Sequence, residues 1–368
     1  MTYLDFGATS LHKPRQVGEA VRWALENCAN PGRGAYAPSR LASQTVFRCR
    51  ERAGQLFDCD PEQVVFTSNC THGLNIAIRS VVKPGSSVAV SGFEHNAVIR
   101  PLHGQGARLL VAGRKLFDWE DTLSHFEDAL KSAQAAVFTH VSNVFGYILP
   151  VEQMAGLCQD RGIPFIIDAA QSAGSIPVSL KNLGADFIAM PGHKGLLGPQ
   201  GTGILLCGRE GEPLMMGGTG SDSIRQDMPE YLPERLEAGT VNVPGIAGLS
   251  EGLRYLTRTG VASIGQRERR LVRDCAAGLE KLGFRVFSGP DQGGTVSFLP
   301  HTDCEEFAEA LGRIGFGVRA GLHCAPLAHE SAGTLETGTV RVSFGWNSEQ
   351  KQTQRFLSAV SKFSGGKT

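Results

Sequence analysis

From about residue 16 to 250, short apolar runs alternate with segments in which apolar positions recur every three or four residues. Runs at 64–67, 88–91, 136–139, 164–167, 186–190 and 203–207 are closed by turn residues and predict strands, several of them apolar on both faces. Helices are predicted over 39–57, where Leu41, Val46 and Leu56 lie on or near one face behind a Ser39 cap, and from Thr71 to about Val82. Two more are predicted over 119–131 and over Val151–Arg161, which Gly162 ends. Strand–helix alternation of this kind implies a largely parallel sheet covered on both faces. After about residue 255 the rhythm changes to a charged helix at 260–282, strands near 284–287 and 294–298, a helix at 303–314, strands at 317–320 and 339–344, and a helix at 349–363. The expected organisation is a large domain over 16–254, a smaller α+β domain over 255–368, and an N-terminal arm, 1–15, packing on the body.

Composition narrows the function classes. A chain of 368 residues exceeds one small core. Lys+Arg and Asp+Glu each number 36, a formal charge of zero that argues against a general nucleic-acid or membrane-surface binder. The first 30 residues are charged rather than apolar and no stretch suits a bilayer span, so the cytoplasm is the expected address. Nine cysteines, an odd number with no Cys-x-x-Cys, speak against a disulfide framework. The 46 glycines suit an enzyme with many close turns around a bound cofactor.

The candidate chemistry gathers where strands end. Asp168 closes the run Phe-Ile-Ile-Asp, and Lys194 follows Ala-Asp-Phe-Ile-Ala-Met-Pro-Gly-His at 185–193. Open α/β sheets place ligands at the carboxyl ends of their strands. An amine able to hold an aldehyde as a Schiff base, with an acid to pair with a pyridinium nitrogen, is the set that pyridoxal phosphate chemistry needs. Ser-Asn-Cys-Thr-His-Gly at 68–73, between a predicted strand and helix, offers Thr71 and the amide of His72 to a phosphate; Thr71 equally suits a helix cap. Cys324 lies in a loop, Arg319-Ala-Gly-Leu-His-Cys-Ala-Pro, with Arg319 and His323 as neighbours able to lower a thiol pKa. A zinc set of His323, Cys324 and His329 has only three ligands at no common spacing.

Several strings together carry a family resemblance: Tyr-Leu-Asp at 3–5 with Ala-Thr-Ser at 8–10, Glu-His-Asn at 94–96, Ser-Asn-Val-Phe-Gly at 142–146, and Asp-Ala-Ala-Gln at 168–171. Gly-His-Lys at 192–194, Glu-Ala-Gly-Thr at 237–240 and Arg-Ala-Gly-Leu-His-Cys-Ala at 319–325 complete the series. In order and spacing the chain resembles the fold-type I, class V aminotransferase-like enzymes that use pyridoxal 5'-phosphate, and among them the cysteine desulfurases and selenocysteine lyases. The resemblance implies an α/β fold of type I, with a mainly parallel seven-stranded sheet in the large domain and a smaller C-terminal α+β domain. It implies that Lys194 is the Schiff-base lysine and proton shuttle, Asp168 the partner of the ring nitrogen, and His95 the residue stacked on the ring. Asn143 and Gln171 then hold the ring, with Asn143 also near the substrate; Thr71, His72 and His193 serve the phosphate; and Thr240 crosses to the partner's phosphate in a homodimer. Arg341 resembles the arginine that grips the substrate carboxylate, and Cys324 the sulfur acceptor. Read without the resemblance, Asn143 is a turn residue and Arg341 a cross-strand partner.

The implied activity is conversion of L-cysteine to L-alanine with a persulfide left on Cys324, handed on to an acceptor protein or a reductant. Alternatives are a selenocysteine lyase, another class V transaminase or C–S lyase, and a non-catalytic scaffold for sulfur-carrier partners. Departures are Phe6-Gly7 before Ala8-Thr9, Pro191 where many relatives carry serine, and the polar stretch Gly217–Ser223, expected near the substrate entrance.

Overall fold

A computed structural model describes residues 1–32 and 34–363. In chain order the first half runs β1 (Thr2–Tyr3), α1 (Arg15–Asn27), α2 (Ala37–Phe57), β2 (Val64–Thr67), α3 (Cys70–Val81), β3 (Ser87–Ser91), α4 (Asn96–Gly104), β4 (Arg108–Ala112), α5 (Trp119–Leu130), β5 (Ala135–Thr139) and α6 (Val151–Arg161). It continues with β6 (Phe165–Asp168), α7 (Leu180–Leu183), β7 (Phe187–Pro191), β8 (Gly203–Cys207) and α8 (Val243–Thr259). The remainder is α9 (Val261–Lys281), β9 (Arg285–Phe287), β10 (Thr295–Leu299), α10 (Cys304–Arg313), β11 (Phe316–Gly317), β12 (Arg319–Gly321), α11 (Pro326–Ala332), β13 (Thr339–Ser343) and α12 (Gln350–Val360).

The large sheet has seven strands in the order β2-β8-β7-β6-β5-β3-β4. It is parallel from β7 through β4, as the alternating pattern predicts. β8 runs antiparallel to both its neighbours. The physical reason is the connection: no helix lies between β7 and β8, and only a helix-length crossover returns a strand in parallel. Core side chains from α2, α5, α6 and α8 cover one face, and those of α3 and α4 the other. Strands β5, β6 and β7 are buried at every position, which is why they read as continuous apolar runs.

Several elements have no counterpart in the sequence reading. β4 is an edge strand whose Arg108 is exposed and whose Leu109, Leu110 and Val111 are half-buried. α4 carries Pro101 inside it, and α8 supplies most of the cover for α1 and α2. Two caps differ from expectation. α2 begins at Ala37 with Pro38 in its first turn, so Ser39 is buried inside the helix and donates to the Asn30 carbonyl at 2.8 Å. α3 begins at Cys70, capped by Asn69 rather than Thr71. The expected boundary between 254 and 255 falls within α8, which runs unbroken to Gly260, a residue at φ 85°.

The second sheet, β12-β13-β10-β9, is antiparallel and packs against α9, α10 and α12. The arm reaches both cores. β1 pairs with β11, while the Ser10 hydroxyl donates to the Lys194 carbonyl at 2.6 Å. Among the described residues, no helix is long and apolar enough to cross a membrane.

Candidate active site

The carboxyl ends of β5, β6 and β7 and the N-terminus of α3 enclose a cavity of about 110 Å³. Lys194, Asp168, His95, Thr71, Asn143, Gln171 and His193 line it, together with Asn69, Cys70 and Pro191. Seven positions singled out from scattered strings thus meet at one place, the ligand-binding edge of the sheet.

Lys194 sits in a tight turn after β7. Burial pushes its pKa below the usual lysine value, against the opposing pull of Asp168. The turn is held by a close backbone crossing: a Cβ on Gly174 would lie 2.1 Å from the Gly195 oxygen, and one on Gly195 would lie 2.2 Å from the Ala173 oxygen. Only glycines allow that approach, and Gly174 also has φ 99°. Asp168, at the end of β6, is buried. Its Oδ1 accepts from the Ala170 amide at 2.9 Å and from the Cys70 thiol at 3.4 Å. Cys70 is a site residue that the sequence reading passed over. Its burial and its nearness to Asp168 raise the thiol pKa well above normal, so it is a donor and not a nucleophile.

His95 caps α4. Its Nδ1 accepts from the Ala97 amide at 3.0 Å, which assigns the proton to Nε2, and burial lowers its pKa. The preceding Glu94 is fully buried and takes the Thr139 amide on both oxygens, at 2.9 and 3.1 Å, tying the ends of β3 and β5 together. Gln171 donates to the Gly7 carbonyl at 2.9 Å. His193 contacts the Thr9 hydroxyl at 3.0 Å, and burial drops its pKa to about 4, so it is neutral near pH 7. At the start of α3, Asn69 Oδ1 takes the His72 amide at 2.9 Å. That amide, expected to face a phosphate, is already engaged, and the His72 ring turns to Ser68 instead. The exposed Thr71 hydroxyl remains, with the first amides of the helix, which have no acceptor within it.

Cys324 and Arg341 are not among the cavity-lining residues; hydrogen bonds join them to its rim. Arg341, buried on β13, donates to the Asn143 carbonyl at 3.0 Å and to Asp5 at 2.8 Å. The Asn143 amide donates to the His323 carbonyl at 2.8 Å, and the Asn96 amide to the Cys324 carbonyl at 2.8 Å. Among the described residues, Arg341 Nε and Asn143 Oδ1 are buried without a hydrogen-bond partner, two polar atoms of the kind a bound ligand satisfies. Cys324 is exposed, unlike the other cysteines, and follows His323 in two successive left-handed residues, φ 49° and 57°. Such strain is held in place by surrounding structure and marks functional loops.

One expected role fails here. His323 is buried, with Nε2 3.2 Å from the Thr339 carbonyl, and burial, with Arg341 adding to it, drops its pKa to about 2. It therefore carries no positive charge to the thiol. Arg319 remains, but its guanidinium is taken up by Asp5. His329, of the weighed zinc set, is buried against the Thr334 hydroxyl at 2.8 Å. Thr240 is exposed and lies outside the cavity.

The family model Aminotransferase class-V matches residues 2–356. A probable cysteine desulfurase of Methanothermobacter thermautotrophicus is 31% identical, covering 99% of this chain and 94% of the relative. One from Pyrococcus abyssi is 32% identical over 97% of this chain and 93% of its own. The apo structure of a cysteine desulfurase from Thermococcus onnurineus NA1 superposes with a TM-score of 0.92 at 33% identity, covering 99% of this chain and 95% of that one.

Proposed function

The chain belongs to the class-V aminotransferase family, among its cysteine desulfurases, and from that premise we propose that it converts L-cysteine to L-alanine with pyridoxal 5'-phosphate, leaving the sulfur on Cys324 as a persulfide. The observation that carries the reading is the meeting of a half-buried lysine of lowered pKa with a buried carboxylate in one cavity, beside a rim bearing an exposed cysteine.

The residues fit the coenzyme. Lys194 would hold its aldehyde, Asp168 its ring nitrogen, and His95 its ring face. Gln171 and Asn143, the latter with an unsatisfied Oδ1, would flank the ring. Thr71 and the first amides of α3 would take the phosphate, at the positive end of the helix. Pro191 has no donor to offer there. Bound at this place, the coenzyme supplies a carbonyl that captures the substrate amine and a ring that accepts electrons.

The chain's own residues do the rest. Asp168 turns one oxygen to two donors and keeps the other free for the ring nitrogen. Lys194, its charge disfavoured by burial, is available as a base at the substrate α-carbon. Arg341 meets the substrate carboxylate with donors not used on Asp5 and Asn143. The Cys324 thiolate attacks the substrate sulfur: an S–S bond forms and the Cβ–S bond breaks. Its electron pair stays on Cβ, which takes a proton to become the methyl group of alanine. The product persulfide is then on an exposed side chain, open to a thiol reductant or an acceptor protein.

The homodimer belongs to this reading. Thr240 sits on the long segment between β8 and α8, which also exposes Met215, Met216, Ile224 and Tyr231, and there it supports a role at a partner subunit's phosphate. Gly217–Ser223 lies on the same segment.

The test is alanine release from cysteine and from selenocysteine, with reductant, in wild type and Cys324→Ala. Wild type is expected to turn over cysteine, and Cys324→Ala to lose about 100-fold or more of that rate. Consumption of cysteine to a keto acid without alanine, unchanged in Cys324→Ala, would point to a C–S lyase or transaminase. Turnover of selenocysteine alone would make it a selenocysteine lyase, and release from neither would overturn the reading.

A further inference from the structure

Arg319 and Arg341 stand directly opposite each other across β12 and β13. Two cations at an opposed pair repel unless a counter-charge stands between them. Asp5, from the N-terminal arm, is that charge. Its Oδ1 lies 2.8 Å from Arg341 Nη2, and its Oδ2 lies 2.8 Å from Arg319 Nη2 and 3.1 Å from Arg319 Nε. The two contacts are unequal in setting. The Arg341 side chain is 3% exposed and that of Arg319 is 50% exposed, so the first is desolvated while the second exchanges with water. Arg319 opens the three-residue strand that leads straight into Leu322, His323 and Cys324. Arg341 reaches the same loop by the other route, through the Asn143 carbonyl and the Asn143 amide on His323. The loop so joined at both ends is the one held in left-handed backbone.

Resting on the reading of Arg341 as the carboxylate receiver and Cys324 as the sulfur acceptor, we propose that Asp5 is a positioning residue that couples the two. A ligand carboxylate arriving at Arg341 repels Asp5 and shifts its pairing toward Arg319, and the pull on β12 resets the Cys324 loop. The ligand biases two arrangements of one carboxylate between two guanidinium groups, which is the differential contact that such coupling needs.

The experiment uses the full chain loaded with coenzyme. Alkylation of Cys324 by iodoacetamide is timed with and without L-alanine, the adduct is located by mass spectrometry, and alanine binding is followed separately by the visible band of the coenzyme. In wild type, alanine changes the alkylation rate by about fivefold or more. In Asp5→Asn, alanine still perturbs the band but the rate no longer responds. Arg319→Gln gives the same result and leaves the buried Asp5–Arg341 pair intact, which keeps the question answerable if Asp5→Asn does not fold. Simple shielding of the thiol by bound alanine would persist in both variants, and a full response in both overturns the coupling. So does a wild type that binds alanine without any change in rate. If alanine leaves the band unmoved and cysteine yields no alanine, the reading of the site itself fails and the coupling falls with it.

Discussion

Lys194 is a lysine whose charge is disfavoured by burial, whereas the other described lysines, Lys13 apart, are exposed. A group that must act first as a nucleophile and then as a base needs its neutral form near pH 7. Lys194→Ala is expected to lose the borohydride-reducible coenzyme adduct and about 10²–10⁴-fold in kcat/KM. Absorbance before and after reduction, with the peptide bearing the adduct identified, checks it. An adduct that persists on another lysine would contradict the assignment. Asp168 illustrates what a motif leaves out. The string Asp-Ala-Ala-Gln marks the carboxylate, but not that Cys70, 98 residues away in the chain, donates to it. Cys70 occurs inside Ser-Asn-Cys-Thr-His-Gly, a string read only for its hydroxyl and amides, so its signal was on hand without a partner to give it meaning.

Among elements, buried strands and the glycine-stopped helix are the most legible, because burial on both faces and a helix stop act through neighbouring residues. β2, α6 and β8 match the predicted spans, and Gly162 ends α6 in left-handed geometry as expected. β4 escaped because an edge strand is only half-covered. The Ser39 and Thr71 caps were misplaced because several residues near each start are able to cap, and the surrounding chain chooses among them. The turn that presents Lys194 depends on the loops after β6 and β7 meeting through Gly174 and Gly195. Gly174→Ala should force the Gly195 carbonyl aside, cost about 1–3 kcal/mol, and weaken coenzyme binding through the displaced lysine. Thermal unfolding with and without coenzyme measures both effects, and an unchanged coenzyme affinity would show that the turn does not depend on this contact.

At the scale of the whole molecule, the arm, the large sheet and the small sheet meet around a cavity of about 40 Å³ lined by Phe6, Ser10, Gln171, Ile264, Glu268 and Trp346. Burial lifts the Glu268 pKa from 4.5 to about 8. Between those values the folded chain keeps a proton that the unfolded chain has released. The stabilisation from this group is complete below 4.5 and is lost as pH rises through about 8, with a slope of up to about 1.4 kcal/mol per pH unit. Glu268→Gln, which cannot ionise, should flatten that fall. Urea unfolding of both proteins from about pH 5 to about pH 8 decides it, and parallel curves would count against the assignment.

The sequence by itself determined the layered α/β plan, the strand-end positions of Asp168 and Lys194, and the series of strings that marks the family. These are written in local apolar period and in the order of residue types along the chain, which can be read without knowing what packs against them. Tertiary structure alone decided that His323 is neutral, that Cys70 donates to Asp168, and that Asp5 bridges Arg319 and Arg341. Charge state and hydrogen-bond partner depend on burial and on groups brought together from as far as 336 positions apart, and no window along the chain contains both members of such a pair.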